Sequence, residues 1–312
     1  MNRLTRRQFM QAAGIAAGAA LVGGGCSSEP EAGARPEPPA PTAGQAYLAV
    51  SRGSDPASIT RAALAALGGI ERFVAAGADV IVKPNICVAY HSPEYAATTN
   101  PTVVATLVSL ALEAGARRVR VMDTPLGGTA ESAYAVSGIS DAVQLAGGEM
   151  EVMSPVKFAR YAIPQGRDIT SWDVYRDIME ADVLINVPIA KDHALATLSL
   201  GQKNMLGVIT DPNLFHSNLA QRVADLASLV RPTLTVVDAV RILVDHGPTG
   251  GSLNDVRRTD TVIASHDPVA ADAYAATLFG LEGSDVPYVQ AAADMGLGTM
   301  NLSTIELEEV NA

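Results

Sequence analysis

Cysteine is nearly absent: the chain has only Cys26 and Cys87. Two thiols cannot build a four-cysteine iron–sulfur cluster or a Cys₄ zinc site. If Cys26 is lipidated, one thiol remains and no internal disulfide can form. Positive charge is also short, with 22 Lys plus Arg against 33 Asp plus Glu and a formal net charge of −11. Nucleic-acid binding rests on cations that neutralise phosphates, so that class is excluded. Aromatic residues make up only 4% of the chain. Long hydrophobic runs are missing as well: the stretch Ala12 to Val22 has eleven residues, too few to cross a bilayer. Neither a G-x-G-x-x-G nor a Walker-type loop occurs, which leaves nucleotide binding without a motif. There is no internal repeat.

What is present is an Ala/Val/Leu-rich globular composition, 48% apolar and 18% charged over 312 residues. That length buries a full-sized core, as one domain or two closely joined lobes. Thr5-Arg6-Arg7-Gln8-Phe9-Met10 has the pattern of a twin-arginine export motif, so residues 1–25 read as a signal segment. Cys26 follows at the spacing of a lipoprotein cysteine, although Gly23–Gly25 stand where a lipobox carries Leu or Val. Cleavage after Ala32-Gly33-Ala34 is the alternative. Residues 26–44, rich in Pro, Ala, Glu and Gly, read as a disordered tether. The expectation is export to the periplasm or cell surface, with lipidated Cys26 anchoring the chain to a membrane surface. The folded domain is expected over 45–312.

Within it, strands are predicted at Tyr47–Ser51, Asp79–Val82, Arg118–Met122, Met150–Met153, Phe158–Ile163, Val183–Val187, Leu234–Val237 and Val262–Ala264. Helices are predicted at Pro56–Leu67, from Pro101 to Gly115, at Asp173–Met179, at Leu214–Val230 and at Val269–Phe279. Strands and helices alternate, which predicts an α/β fold with a mainly parallel, Rossmann-like sheet and helices on both faces.

Asn186 to Asn218 is the stretch around which function is expected to gather. It holds Lys191, Asp192, His193, Lys203, Asn204 and His216 in a chain with five histidines. Gly201 and Gly207 punctuate it, so loop and short helix are expected there. Other polar clusters also follow strands: Lys83 and Asn85, Asp123 and Thr124, Asp238, and His266 with Asp267. Strand ends of an open α/β sheet converge on one crevice, although strand ends attract polar residues in any case. Lys203, in an apolar context, is a candidate for covalent or catalytic chemistry if burial lowers its pKa; a surface lysine would have the same sequence. His193 and His216 are candidates for a general base and a metal ligand, because neutral imidazole serves as either. Lys83, Asn85, Asp123, Lys191 and Asn204 are expected to bind substrate or cofactor, since clustered cationic donors suit a carboxylate or phosphate. Cys87 reads as a small buried hydrophobe.

The segments VIVKPNI, TTNPTVVATLVSLALEAGARRVRVMDT, LINVPIAKDHALATLSLGQKNMLGV, VVDAVRILVDHGPTGG and VIASHDPVAADAYAATLFG resemble the family catalogued as domain of unknown function 362, over roughly residues 77–280. Some members of that family carry an iron–sulfur module; this chain has no such module. The central stretch is also similar in layout to a segment of nickel-dependent lactate racemases. That resemblance implies His193 as acid/base, Lys203 as the tether of a nickel-pincer nucleotide and His216 as a nickel ligand. Lys191-Asp192 stands where the racemase segment has a proline, one glycine of the turn is missing, and the Lys-to-His spacing is shorter. The combined expectation is an exported metal- or cofactor-dependent enzyme acting on a small anionic substrate, by racemase- or epimerase-like or redox chemistry. The alternative is a non-catalytic ligand- or metal-binding lipoprotein.

Overall fold

The computed structural model describes Thr42 and residues 45–312. The expected signal segment and, Thr42 apart, the expected tether lie outside the described residues. The main sheet contains β1 (Leu48–Arg52), β2 (Asp79–Pro84), β3 (Arg118–Val121), β4 (Glu149–Met150), β7 (Val183–Val187), β10 (Leu234–Leu243), β11 (Val256–Ser265) and β12 (Leu307–Asn311), in the order β12-β1-β11-β10-β7-β2-β3-β4. Only β11 runs against the others; every remaining neighbour pair along this path is parallel. The mainly parallel α/β expectation is therefore correct.

The strands between the edge strands β12 and β4 are largely buried, and their side chains alternate between two cores. Leu48, Val50, Ile81, Leu184, Val237 and Ile263 face one core. Ala49, Val80, Val82, Ile185, Val236 and Val262 face the other. This is the period of two that a pleated strand imposes. The second core is closed by α1 (Pro56–Ala66), α2 (Pro101–Glu113), α3 (Ala130–Val136) and α4 (Ile139–Leu145). Asn100 caps α2 by accepting the Thr102 amide, with Pro101 in the first turn, as the TTNP sequence predicts. The first core is closed by α7 (Leu219–Leu229), α8 (Pro268–Thr277) and α9 (Pro287–Asp294).

Three local expectations are corrected. Asp173–Met179 is not one helix: Ser171–Tyr175 forms β6, antiparallel to β5 (Phe158–Ala162), and only Arg176–Glu180 (α5) is helical. Trp172, Val174 and Tyr175 favour a strand that has a partner, and tertiary pairing outweighs helical spacing. The helix expected from Leu214 begins at Leu219; Pro212–Asn218 is a 3₁₀ turn, so His216 sits on that turn. Finally, Lys191 and His193 lie on a strand, not a loop. The chain continues past Pro188 as β8 (Ile189–His193), paired with β10, and folds back as β9 (Thr197–Ser199).

From β2 the sheet grows to one side through β3 and β4, and the chain then returns to the other side of β2 with β7. The strand order changes direction between β2 and β7, the kind of switch point at which open α/β sheets place a crevice beyond the carboxyl ends of their strands. Lys83 and Asn186 are cross-strand partners at that switch point.

Candidate functional site

The crevice is floored by a buried ion pair. Lys83, at the end of β2, is 0% exposed, and its Nζ lies 2.7 Å from Asp123 Oδ1, just beyond β3. That oxygen is met as a charge and not as a well-directed hydrogen bond. Lys83 Nζ also donates to Pro84 O and to Asn204 Oδ1, each at 2.9 Å, while Asp123 Oδ2 accepts the Ile86 amide at 2.7 Å. Burial pushes the Lys83 pKa down and the Asp123 pKa up, and each group's charge opposes the shift of the other.

Asparagines extend the floor. Asn204 Nδ2 donates to Asn186 Oδ1 at 2.8 Å, Asn186 Nδ2 donates to Gly201 O at 2.9 Å, and Asn85 Nδ2 donates to Asn204 Oδ1 at 3.0 Å. Asn85 Oδ1 accepts from Lys191 Nζ at 2.8 Å, and Lys191 also donates to Ala97 O at 2.8 Å. Lys83, Asn85, Asp123, Lys191 and Asn204 are thus joined in one network, although 121 residues separate Lys83 from Asn204.

Lys203 and Asn204 lie on α6 (Gly201–Asn204), a single helical turn. Asp272 of α8 holds it from behind, accepting the Gly201 amide at 2.6 Å, the Gln202 amide at 2.9 Å and Gln202 Nε2 at 3.3 Å. Gly201 and Gly207 are there for close approach, not as turn residues. A Cβ on Gly201 would come within 2.8 Å of Asp272 Oδ1. One on Gly207 would lie 2.2 Å from Asp123 Oδ1 and 2.8 Å from Lys83 Nζ. Gly207→Ala is expected to destabilise the chain by about 1–3 kcal/mol, as overpacking does in a closed core. A shift in the denaturant midpoint reads this, and an unchanged midpoint would mean that the ion pair yields freely.

Lys203 is largely buried, yet its ammonium makes no hydrogen bond or ion pair with the described residues. Burial, followed by the charge of Lys191, lowers its pKa to about 8. His193 is 7% exposed, and its Nδ1 accepts the amides of Leu195 at 3.1 Å and Ala196 at 3.3 Å. With Nδ1 occupied as an acceptor, the neutral ring carries its proton on Nε2. Burial, then the charges of Lys203, Lys191 and His216, push the His193 pKa down to about 3. His193 is therefore a neutral hydrogen-bond donor at ordinary pH.

His216 is exposed on its 3₁₀ turn. It belongs to no group of three or more histidine, cysteine or carboxylate side chains that could hold a metal among the described residues. Such a group exists elsewhere, in Asp245, His246 and Asp255, whose ligand atoms lie within 4.8 Å of one another. Two of the expected clusters serve the scaffold. Asp238 accepts the Asn100 and Val240 amides, and Asp267 caps α8 through the Val269 and Ala270 amides. Cys87 is buried, its Sγ 3.7 Å from Pro248 O, in keeping with the small-hydrophobe reading.

A profile of the family described as domain of unknown function (DUF362) matches residues 80–277, most of the described fold. The chain belongs to the DUF362 family. A thylakoid-associated protein of Synechocystis sp. is 28% identical over 256 residues, covering 76% of this chain and 74% of that protein. Two solved structures show a partial similarity. The lactate racemase apoprotein from Thermoanaerobacterium thermosaccharolyticum has a TM-score of 0.45 and 11% identity, covering 78% of this chain. A Thermotoga maritima protein also has a TM-score of 0.45, with 14% identity over 73% of this chain. The chain spans only 56% and 60% of those two structures.

Asn186 and Gly207, named only as the start of the central stretch and as a turn residue, and Asp272, not named at all, were missed as site residues. Asn186 had a signal, a lone amide in the apolar run Val183–Val187. Asp272 had one too, a lone acid in an Ala-rich helix whose other residues are almost all buried. A further signal lies in the basic residues of this DUF362 chain. Of 22 Lys plus Arg, only Lys83, Lys157, Lys191 and Lys203 are lysine. Three of those four meet in the crevice. Arginine stays protonated at all ordinary pH, so the amines that can lose a proton are concentrated at one place.

Proposed function

We propose that this chain is an enzyme acting on a small anionic substrate in the crevice beyond β2 and β7, with Lys203 as its reactive amine. The observation that carries this reading is the largely buried Lys203 ammonium, which has no hydrogen-bond or ion-pair partner among the described residues and feels the charge of Lys191. With a pKa near 8, part of Lys203 is free amine close to neutrality, and free amine acts as base or nucleophile. Lys191 supplies the positive charge that holds an anion, and His193 Nε2–H polarises an oxygen on the reacting carbon. In this reading His193 is a donor and not a base. Lys83, Asp123, Asn85 and Asn204 keep these groups in place.

Metal dependence belongs to the proposal in coarse form only. Lys203 has the free amine that a covalently attached cofactor needs. His216 is near enough to His193 for its charge to act there, but it belongs to no group of three or more ligand side chains among the described residues, and His193 in its donor form is not an acid/base group. The residues thus do not provide the full racemase-type set, and no step is assigned to a nickel group. Elemental analysis and intact mass of the exported protein test for a bound metal or adduct.

The test of function is calorimetric titration with pyruvate, L-lactate and inorganic phosphate, combined with NMR detection of solvent deuterium entering the bound organic acid. Lys191→Met is expected to weaken anion binding by about 10-fold or more, the worth of a charged hydrogen bond. Lys203→Met is expected to abolish exchange. Binding without exchange in the wild type would favour the non-catalytic binding lipoprotein, and binding indifferent to Lys191 would remove the crevice from either reading.

Export by the twin-arginine route and anchoring at Cys26 complete the proposal; they rest on the motif Thr5–Met10 and the position of Cys26. No helix among the described residues is long and apolar enough to cross a membrane. Changing Arg6 and Arg7 to lysine is expected to retain the chain in the cytoplasmic fraction. Unaltered fractionation would remove this part of the proposal.

A further inference from the structure

Apart from the buried acceptors Gln202 Oε1 and Asp123 Oδ1, the free hydrogen-bonding capacity of the crevice lies with donors. The Lys83 ammonium is occupied by Asp123, Pro84 O and Asn204 Oδ1. Lys191 has two of its three N–H groups engaged, with Asn85 and Ala97, and one remaining. His193 offers Nε2–H, because its Nδ1 is taken by two amides. Lys203 has all three positions uncommitted. The carboxylate in the network, Asp123, is paired with Lys83, and Asp272 is turned to the amides of Gly201 and Gln202. A ligand that fits must therefore bring acceptors. A hydroxy acid brings a hydroxyl proton that the Lys203 amine would have to receive, which takes up the one nucleophile of the crevice, and an amino acid adds a cation beside Lys191. A 2-oxo carboxylate brings only acceptors, and its carbonyl carbon is the natural target of an unpaired amine.

We infer that the crevice takes a 2-oxo carboxylate, whose carboxylate lies on Lys191 and whose carbonyl carbon condenses with Lys203 Nζ. This rests on the reading of Lys203 as the reactive amine. The Lys203 amine adds to the carbonyl carbon while His193 Nε2–H hydrogen-bonds the oxygen. That oxygen takes the proton that the Lys203 ammonium gave up and one N–H proton of the adduct, the carbon–oxygen bond breaks, and water leaves as nitrogen and carbon become doubly bonded in an iminium. Counted from the lysine ammonium, one carbonyl compound enters and one water leaves. Nothing is oxidised or reduced. The remaining lysine, Lys157, is held in a surface ion cluster with Glu151 and Asp177, each 2.9 Å from its Nζ, and serves as an internal control.

The experiment is reductive trapping of the full chain with pyruvate and cyanoborohydride, followed by intact mass and peptide mapping. Hydride adds to the iminium carbon and leaves a secondary amine, heavier than the free lysine by pyruvic acid less one oxygen atom. The expected result is saturable, single-site labelling at Lys203. Inorganic phosphate should suppress it, Lys203→Arg should abolish it, and Lys191→Met should require at least 10-fold more pyruvate. Equal labelling of Lys157 and Lys203 would overturn the inference as unselective amine chemistry. Lys191-dependent binding of pyruvate without labelling would overturn the iminium and leave the anionic-substrate reading intact. No binding of pyruvate, lactate or phosphate would remove both. A Lys203 already carrying an adduct on purification would also overturn the iminium, because the amine would be spent.

Discussion

Lys83→Met is expected to cost about 3–5 kcal/mol of folding stability, the penalty for leaving one partner of a buried ion pair uncompensated. Asp123 is 2% exposed, and the substitution leaves its carboxylate with the Ile86 amide but without its counter-charge. Pro84 O and Asn204 Oδ1 lose a donor in the same step. The variant responds by taking up a proton. Burial already pushes the Asp123 pKa up, and without Lys83 nothing comparable opposes it. A carboxyl whose folded pKa is raised stabilises the fold below its unfolded pKa and loses that contribution as pH rises through the folded value. The deficit of Lys83→Met is therefore expected to shrink in acid and widen toward neutrality. Denaturant midpoints across pH measure this. The double variant Lys83→Met with Asp123→Leu removes both charges and is expected to regain most of the stability while remaining inactive. A single-variant cost under about 1 kcal/mol, the range of exposed pairs, would contradict the closed floor described above.

Asp272→Ala is expected to damage the site without removing any group that faces it. Three donors, the amides of Gly201 and Gln202 and Gln202 Nε2, lose their acceptor in a buried place. Each such loss costs about 1–3 kcal/mol. The single turn Gly201–Asn204 is then no longer fixed, and with it go the directions of Lys203 and Asn204. Trapping at Lys203 and anion binding should both fall, even in variants that remain folded. Asp272 also carries a pH signature: burial raises its pKa from the ordinary 3.8 to about 7, against the pull of the Gln202 and Gly201 amides. The folded chain keeps a proton that the unfolded chain releases, so this group's contribution declines as pH rises between about 4 and about 7. Asp272→Asn keeps an acceptor but has no such proton to lose, and its stability should be flatter with pH than the wild type over that window. Parallel slopes for the two proteins would assign the titration to another group.

The sequence carried much of the fold because its signals were local. Apolar runs such as Asp79–Val82 and Val183–Val187 can be read directly, as can the Asn100–Pro101 helix start, since each depends on neighbours in the chain. The reading failed where distant partners decided. Ser171–Tyr175 is a strand because Phe158–Ala162 pairs with it, and the turn carrying His216 is not the helix that its spacing implied. Lys191 and His193 were expected on a loop, but β10 and β9 give β8 its hydrogen bonds.

The site divides in the same way. By itself the sequence determined which residue types were available: scarce cysteine, an acidic balance, four lysines, and a polar stretch from Asn186 to Asn218. It also determined that parallel strands would carry Lys83, Asp123 and Lys191 to one edge of a sheet. The tertiary structure alone decided which of those groups are occupied and which are free. Lys83 is spent on Asp123, Lys191 keeps one N–H, and His193 is fixed as a donor by two backbone amides. Lys203 is left uncommitted. The partners responsible come from strands and helices dozens to more than a hundred residues apart, or from amides whose direction only the folded backbone sets. Hydrogen bonding and charge act through space at a few ångströms, and no spacing along a chain records them.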